Sequence, residues 1–138
     1  METRRAEIVI DRPADEVWAR IRDFEDVSWI PNTETSRMEG DVRSVRMKGG
    51  SFEVTQRLLE HDEANRTMKY CMAMQLDLSA VYGPGSVVDH LVATIAVSPK
   101  GEGSSWVTYD VETHDFMVAG VNAEYQGALD NLKALLEA

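Results

Sequence analysis

The sequence predicts an α+β fold in which one long C-terminal helix lies across a curved antiparallel sheet. The first observation is periodic. From Ala119 to Glu137, Val121, Tyr125, Ala128, Leu129, Leu132, Leu135 and Leu136 recur at steps of three and four. That spacing makes one apolar face on a helix of roughly 27 Å. Glu124, Gln126, Asp130, Asn131 and Lys133 fall between these positions and are expected to face water. The second observation is that the preceding stretch, from Glu34 onward, reads almost entirely as short strands separated by turn residues. Short turns join antiparallel neighbours, and such a sheet gives the apolar side of the helix a wide surface to cover.

Taken in order, Arg5 to Ile10 alternates loosely and stops at Asp11-Arg12-Pro13, so it is a first strand. Pro13 suits the first turn of a helix, and Asp15 and Glu16 complement the positive end of its dipole. Val17, Ile21 and Phe24 mark one face of a helix from about Pro13 to Phe24, with Trp18 beside it. Asp26 to Pro31 is too short and proline-limited for a long element and is expected to be a bent turn or a second short helix. Strands are then expected over Glu34–Glu39, Val42–Lys48, Ser51–Glu60, Arg66–Met74, Ser86–Ser98 and Ser104–Asp115. Gly40-Asp41, Gly49-Gly50, His61–Asn65 and Pro99–Gly103 punctuate them, and Gln75–Gly85 reads as a loop. Residues 1–138 read as a single domain without internal repeats.

In a meander, alternate connections fall at the same end of the sheet. Gly49-Gly50, the Gln75–Gly85 loop and the Asp115–Val118 link therefore share one end, with the Trp29 turn nearby. That end is the expected mouth. The opposite end carries only polar turns.

Composition excludes several function classes. A formal charge of −10 repels phosphate backbones and anionic head groups, so neither nucleic acid nor a stable membrane association is expected. No stretch approaches the roughly 20 apolar residues of a membrane span, and no apolar run follows the opening Met-Glu-Thr-Arg-Arg, so no signal peptide is expected. The single cysteine, Cys71, leaves no internal disulfide and suits a reducing compartment, hence a cytoplasmic location. His61 falls in a turn, whereas His90 and His114 fall on the outer phase of their strands, so no metal site is expected. There is no glycine-rich phosphate loop either, and no cofactor is expected.

Period two divides each strand into two faces. One face collects Val45 and Met47; Phe52, Val54 and Leu58; Met68, Met72 and Met74; Leu91, Ala93, Ile95 and Val97; and Val107 and Val111. The same phase carries Arg43, Gln56, Tyr70, Tyr109 and Thr113, with Asp89 near the mouth. Polar groups pointing inward, above all an arginine, imply a wet or ligand-holding cavity instead of a dry core. Gly127, in mid-helix, leaves room beneath it. The candidate ligand-facing residues are Trp29, Arg43, Met47, Gln56, Tyr70, Met72, Met74, Asp89, Leu91, Tyr109, Val111, Tyr125 and Leu129. Arg43, Tyr70 and Tyr109 are the candidates for catalysis. Trp29 is either a rim contact or a packing residue under the first helix.

Ile8-Val9-Ile10-Asp11-Arg12-Pro13-Ala14-Asp15-Glu16-Val17-Trp18, Ile21-Arg22-Asp23-Phe24 and Trp29 resemble the opening of the polyketide cyclase/dehydrase and lipid-transport family. That family lies in the START-like (Bet v 1-like, SRPBCC) superfamily. Val54 to Asp62, Arg66, Tyr70, Ala93 to Val97 and Val107-Thr108-Tyr109 extend the likeness over nearly the whole chain. The resemblance implies a helix-grip fold, with a seven-stranded antiparallel sheet wrapped around the C-terminal helix, an apolar cavity between them and gating loops at one end. The chain departs from the group at Gln56, where similar chains often carry a glutamate able to pair with the position of Arg43.

Three functional readings follow. In the first, the cavity binds a small hydrophobic or amphipathic ligand (lipid, polyketide-like or aromatic), which Arg43, Gln56 and the tyrosines orient. In the second, the protein is a cofactor-free aromatase/cyclase or dehydratase in which Arg43 stabilises an enolate and Tyr70 or Tyr109 passes a proton. In the third, the outer face, uncharged at Leu59, Val92 and Ala96, mediates assembly and leaves room for a homodimer contact.

Overall fold

The computed structural model describes residues 1–50 and 52–138. Ser51, the expected start of one strand, lies outside the described residues. Strand β1 (Glu2–Ile10) is followed by helix α1 (Ala14–Ile21). Next come β2 (Thr33–Glu39), β3 (Val42–Met47), β4 (Glu53–Asp62) and β5 (Thr67–Met72). After β6 (Leu76–Asp77), helix α2 (Ser79–Tyr82) and β7 (Val87–Val88), the long strands β8 (Leu91–Pro99) and β9 (Ser105–Thr113) lead into helix α3 (Val118–Glu137).

The seven longer strands form one antiparallel sheet in the order β1-β9-β8-β5-β4-β3-β2, with α3 packed on β1 and β9. This is the helix-grip arrangement. The two short strands, β6 and β7, pair only with each other. The expected strand Ser86–Ser98 is thus divided, and the expected loop Gln75–Gly85 contains β6 and the single turn of α2. Val88 is held against Leu76, and the chain re-enters the main sheet only at Leu91.

Helix α1 begins as Pro13 requires, with Asp15 and Glu16 in its first turn, and buries Ala14, Val17, Trp18 and Ile21. It stops at Ile21, three residues earlier than expected, and the buried side chains of Phe24, Val27 and Trp29 sit in the turns that follow. Its outer side is tied to the β4–β5 turn. Trp18 Nε1 donates to Glu63 at 2.9 Å, Arg22 Nε donates to the same carboxylate at 3.1 Å, and Arg66 meets Asp15 at 2.7 Å.

At the sheet edge, α3 substitutes side-chain groups for a missing strand. The Gln126 amide accepts from Glu7 N at 3.3 Å and donates to Glu7 O at 3.1 Å, while Lys133 Nζ donates to Val9 O at 2.8 Å. These bonds satisfy backbone groups along β1 that would otherwise be open to another chain.

Turns at the two ends differ as the meander requires. Between β3 and β4 the chain makes a 3-10 turn over Lys48–Gly50 in which Gly49 and Gly50 both have positive φ, 83° and 66°, a region that favours glycine. Met47 and Phe52 beside this turn, Leu76 to Leu78 of the α2 segment, Met117 before α3 and Ile30 of the Trp29 turn all line one cavity.

Candidate functional site

The cavity has a volume of about 660 Å³ and lies between the concave face of the sheet and the N-terminal half of α3. Its floor carries Arg43, Val45 and Met47 from β3, Val54 and Gln56 from β4, Tyr70 and Met72 from β5, Leu91 from β8 and Tyr109 from β9. All of these share one phase of the pleat. The roof is Val121, Ala123, Glu124, Tyr125, Gly127 and Ala128. A Cβ added at Gly127 would meet nothing within 4 Å, so the missing side chain leaves part of the hollow open.

Arg43 is only 3% exposed. Its position opposite Gln56 in the β3–β4 register brings their side chains together: Nε and Nη2 donate to Gln56 Oε1 at 3.0 and 2.5 Å. Nη1 donates to the carbonyl of Phe24 at 2.6 Å, and the guanidinium lies over the rings of Phe24 and Tyr70, 4.0 and 5.2 Å from their centroids. Its acceptors are all neutral, and no carboxylate pairs with it among the described residues. Every other arginine has a carboxylate oxygen between 2.7 and 3.8 Å away. The most deeply buried guanidinium is therefore the one without a counter-charge, an arrangement that costs stability unless something else compensates it.

Beside it the Tyr70 and Tyr109 hydroxyls are hydrogen-bonded to each other. The Tyr109 ring stacks on Tyr125, with centroids 4.4 Å apart and planes 12° from parallel. Burial raises the phenol pKa values of Tyr109 and Tyr125 well above the ordinary 10, so both hydroxyls remain protonated at neutral pH.

Eight of the thirteen sequence-derived candidates line the cavity: Arg43, Met47, Gln56, Tyr70, Met72, Leu91, Tyr109 and Tyr125. The other five do not. Trp29 is packed behind Tyr109, with ring centroids 6.4 Å apart, and its carbonyl accepts from Asn131 Nδ2 at 2.7 Å. Val111 and Leu129 point inward but are buried in the filled core. Met74 lies past the end of β5, and its sulfur accepts from Thr55 N at 3.3 Å. Asp89 lies between β7 and β8 and meets His114 Nε2 at 2.7 Å.

Glu124, expected to face water, is exposed and also borders the cavity at its rim. It follows Val121 by three and precedes Ala128 by four, which brings it to the edge of the apolar face. The surrounding protein desolvates its carboxyl and raises its pKa. Among the described residues no group of three or more His, Cys, Asp or Glu side chains is arranged to hold a metal ion, and no helix is long and apolar enough to cross a membrane.

The family model for polyketide cyclase / dehydrase and lipid transport matches residues 1–137. The chain belongs to that family. No curated protein matches it in sequence. Solved structures with the same fold include an uncharacterized protein from Bacillus thuringiensis, with 20% identity, 99% of this chain and 100% of that one covered, and a TM-score of 0.83. The di-domain aromatase/cyclase BexL is similar at 18% identity, with 99% of this chain, 47% of that one and a TM-score of 0.80. Norcoclaurine synthase from Thalictrum flavum, in complex with dopamine and hydroxybenzaldehyde, is similar at 20% identity, with 99% of this chain, 87% of that one and a TM-score of 0.67. At these identities the likeness is one of fold.

Proposed function

We propose that the protein holds a small hydrophobic or amphipathic molecule in the cavity under α3, with a carbonyl or carboxylate oxygen of that molecule at Arg43. The observation that carries this reading is the buried guanidinium, surrounded by neutral acceptors at one end of a hollow whose walls are otherwise mainly apolar. A volume of about 660 Å³ suits a molecule of lipid-fragment or polycyclic size. Apolar burial supplies affinity, while the guanidinium, a donor only, orients the acceptor end.

The test is displacement of an apolar naphthylamine fluorophore, alongside native mass spectrometry of freshly purified protein for a retained small molecule. Decanoate is expected to displace the dye at roughly one-tenth the concentration that decanol requires, as for one charge-assisted hydrogen bond. Arg43→Met is expected to abolish that difference while still taking up the dye. Equal potency of the two compounds on the wild-type protein would overturn the assignment of Arg43.

A second reading, cofactor-free cyclisation or dehydration of a polyketide-like substrate, is favoured by the phenols that border Arg43. Proton transfer to a water molecule from a carbon between two carbonyls leaves an enolate. Arg43 would stabilise its oxygen, with Tyr109 donating to it. Turnover of a poly-carbonyl mimic that disappears in Arg43→Met with dye uptake intact would select this reading; no turnover by the wild-type protein would remove it.

A further inference from the structure

We infer that the cavity takes a single-chain carboxylate head first, with the charged end deep at Arg43 and an apolar tail of about ten carbons ending at the mouth. This inference rests on the cavity being a ligand site with Arg43 at its polar end, as proposed above.

Burial divides the lining into two ends. Arg43 is 3% exposed, and Tyr70 and Tyr109 are each 2% exposed. These three groups meet, since the guanidinium lies over the Tyr70 ring and the two phenol hydroxyls are bonded to each other. Asn32, Phe52, Asp77, Ala123 and Glu124 border the same cavity, but they are exposed and mark its rim. Between the two ends stand Val45, Met47, Val54 and Val121, none of which carries a charge or a hydroxyl. The hollow is thus polar at its closed end and apolar along its length.

The charges follow the same order. Arg43 is the one cation on the lining among the described residues, and the two carboxylates there, Asp77 and Glu124, belong to the rim. A ligand carboxylate is therefore attracted inward and repelled at the entrance. Tail-first entry would set that anion beside Asp77 and Glu124 and leave apolar carbon against a desolvated guanidinium, which is the costlier arrangement.

The strand gives the length. β3 runs from the closed end towards the Lys48–Gly50 turn, and the steps from Arg43 to Met47 cover about 13 Å at about 3.3 Å per residue. An extended chain advances about 1.2 Å per bond, so about ten carbons reach from the guanidinium to the rim. Phe52, whose carbonyl accepts from Met47 N at 3.0 Å and whose side chain is 50% exposed, is the last apolar surface such a tail meets.

The test is competition for the apolar fluorophore by hexanoate, octanoate, decanoate, dodecanoate and tetradecanoate at neutral pH, each kept below the concentration at which it forms micelles. Affinity is expected to rise about fourfold per methylene as far as decanoate and less than about twofold per methylene beyond it. Phe52→Ala is expected to weaken decanoate at least about threefold and to leave hexanoate unchanged, because only the longer tail reaches the rim. A hydroxyl on the terminal carbon is expected to cost hexanoate at least about tenfold, since it would be buried unpaired, and dodecanoate less than about twofold, since it would lie in water. A rise that continues undiminished to tetradecanoate, an equal loss for hexanoate and decanoate in Phe52→Ala, or a terminal hydroxyl equally costly at both lengths overturns the head-first arrangement while the ligand cavity stands. Equal potency of decanoate and decanol removes Arg43 as the polar end, and failure of both to displace the fluorophore removes the ligand cavity itself.

Discussion

The two halves of α3 carry the same apolar periodicity but cover different things. Its C-terminal half presents Leu129 and Leu132, both 0% exposed, to a filled core that includes Ile10, Ile21 and Ile95. Its N-terminal half presents Ala123, Glu124, Tyr125 and Gly127 to a hollow. The sheet beneath is continuous; Leu129 and Leu132 fill the space above it in one half, and the missing side chain of Gly127 leaves part of the hollow open in the other. One helix thereby anchors the fold and makes room for a ligand.

Large-to-small substitutions should separate the halves most sharply. Leu132→Ala is expected to lower unfolding stability by about 2–5 kcal/mol, since it opens a void in packed surroundings. Met72→Ala, on the cavity wall, is expected to cost less than half as much, because its side chain already borders open space. Urea denaturation of both variants measures the comparison, and equal losses would break it.

Filling the gap is the converse. Gly127→Leu is expected to weaken uptake of the apolar fluorophore by at least about tenfold while the protein stays folded. Gly127→Ala, whose added Cβ meets nothing within 4 Å, is expected to raise stability by about 1 kcal/mol through helix propensity and leave uptake nearly unchanged.

A smaller effect concerns pH. Because burial raises the Glu124 pKa above the ordinary 4.5, the native state holds this proton more tightly than the unfolded chain does. Stability from this group therefore falls as pH rises from about 4.5 through the raised value, and the loss is complete above it. Glu124→Gln should remove that fall, so its stability relative to wild type grows across this window and stays flat below it. Urea midpoints at several pH values provide the check.

Much of this was legible in the sequence. The period of α3, the phases of the strands and the end at which the turns gather follow from side-chain spacing, and the short β3–β4 hairpin places Arg43 opposite Gln56. Phase tells which side of a strand or helix a residue faces but not how far its neighbours stand off. Val111 and Leu129 accordingly point inward yet meet packed side chains, and Trp29 sits in a turn whose path has no period. Met74 and Asp89 were misplaced because β5 ends at Met72 and β8 begins at Leu91, so phase counted through them no longer applies. The paired strands β6 and β7, of two residues each, are too short to carry a pattern. Glu124 faces water as its polarity predicts, and it also reaches the cavity rim because it lies three residues after Val121 and four before Ala128.

The central claim is that Arg43 faces the hollow without a counter-charge and is therefore available to a ligand. Gln56→Glu tests it most directly, by placing a carboxylate on the group that Arg43 already contacts at 2.5 and 3.0 Å. Decanoate and decanol affinities, measured on this variant and on the wild-type protein, give the answer. The predicted result is that the wild-type preference for decanoate disappears while decanol binds as before; a preference for decanoate that survives the substitution would contradict the account.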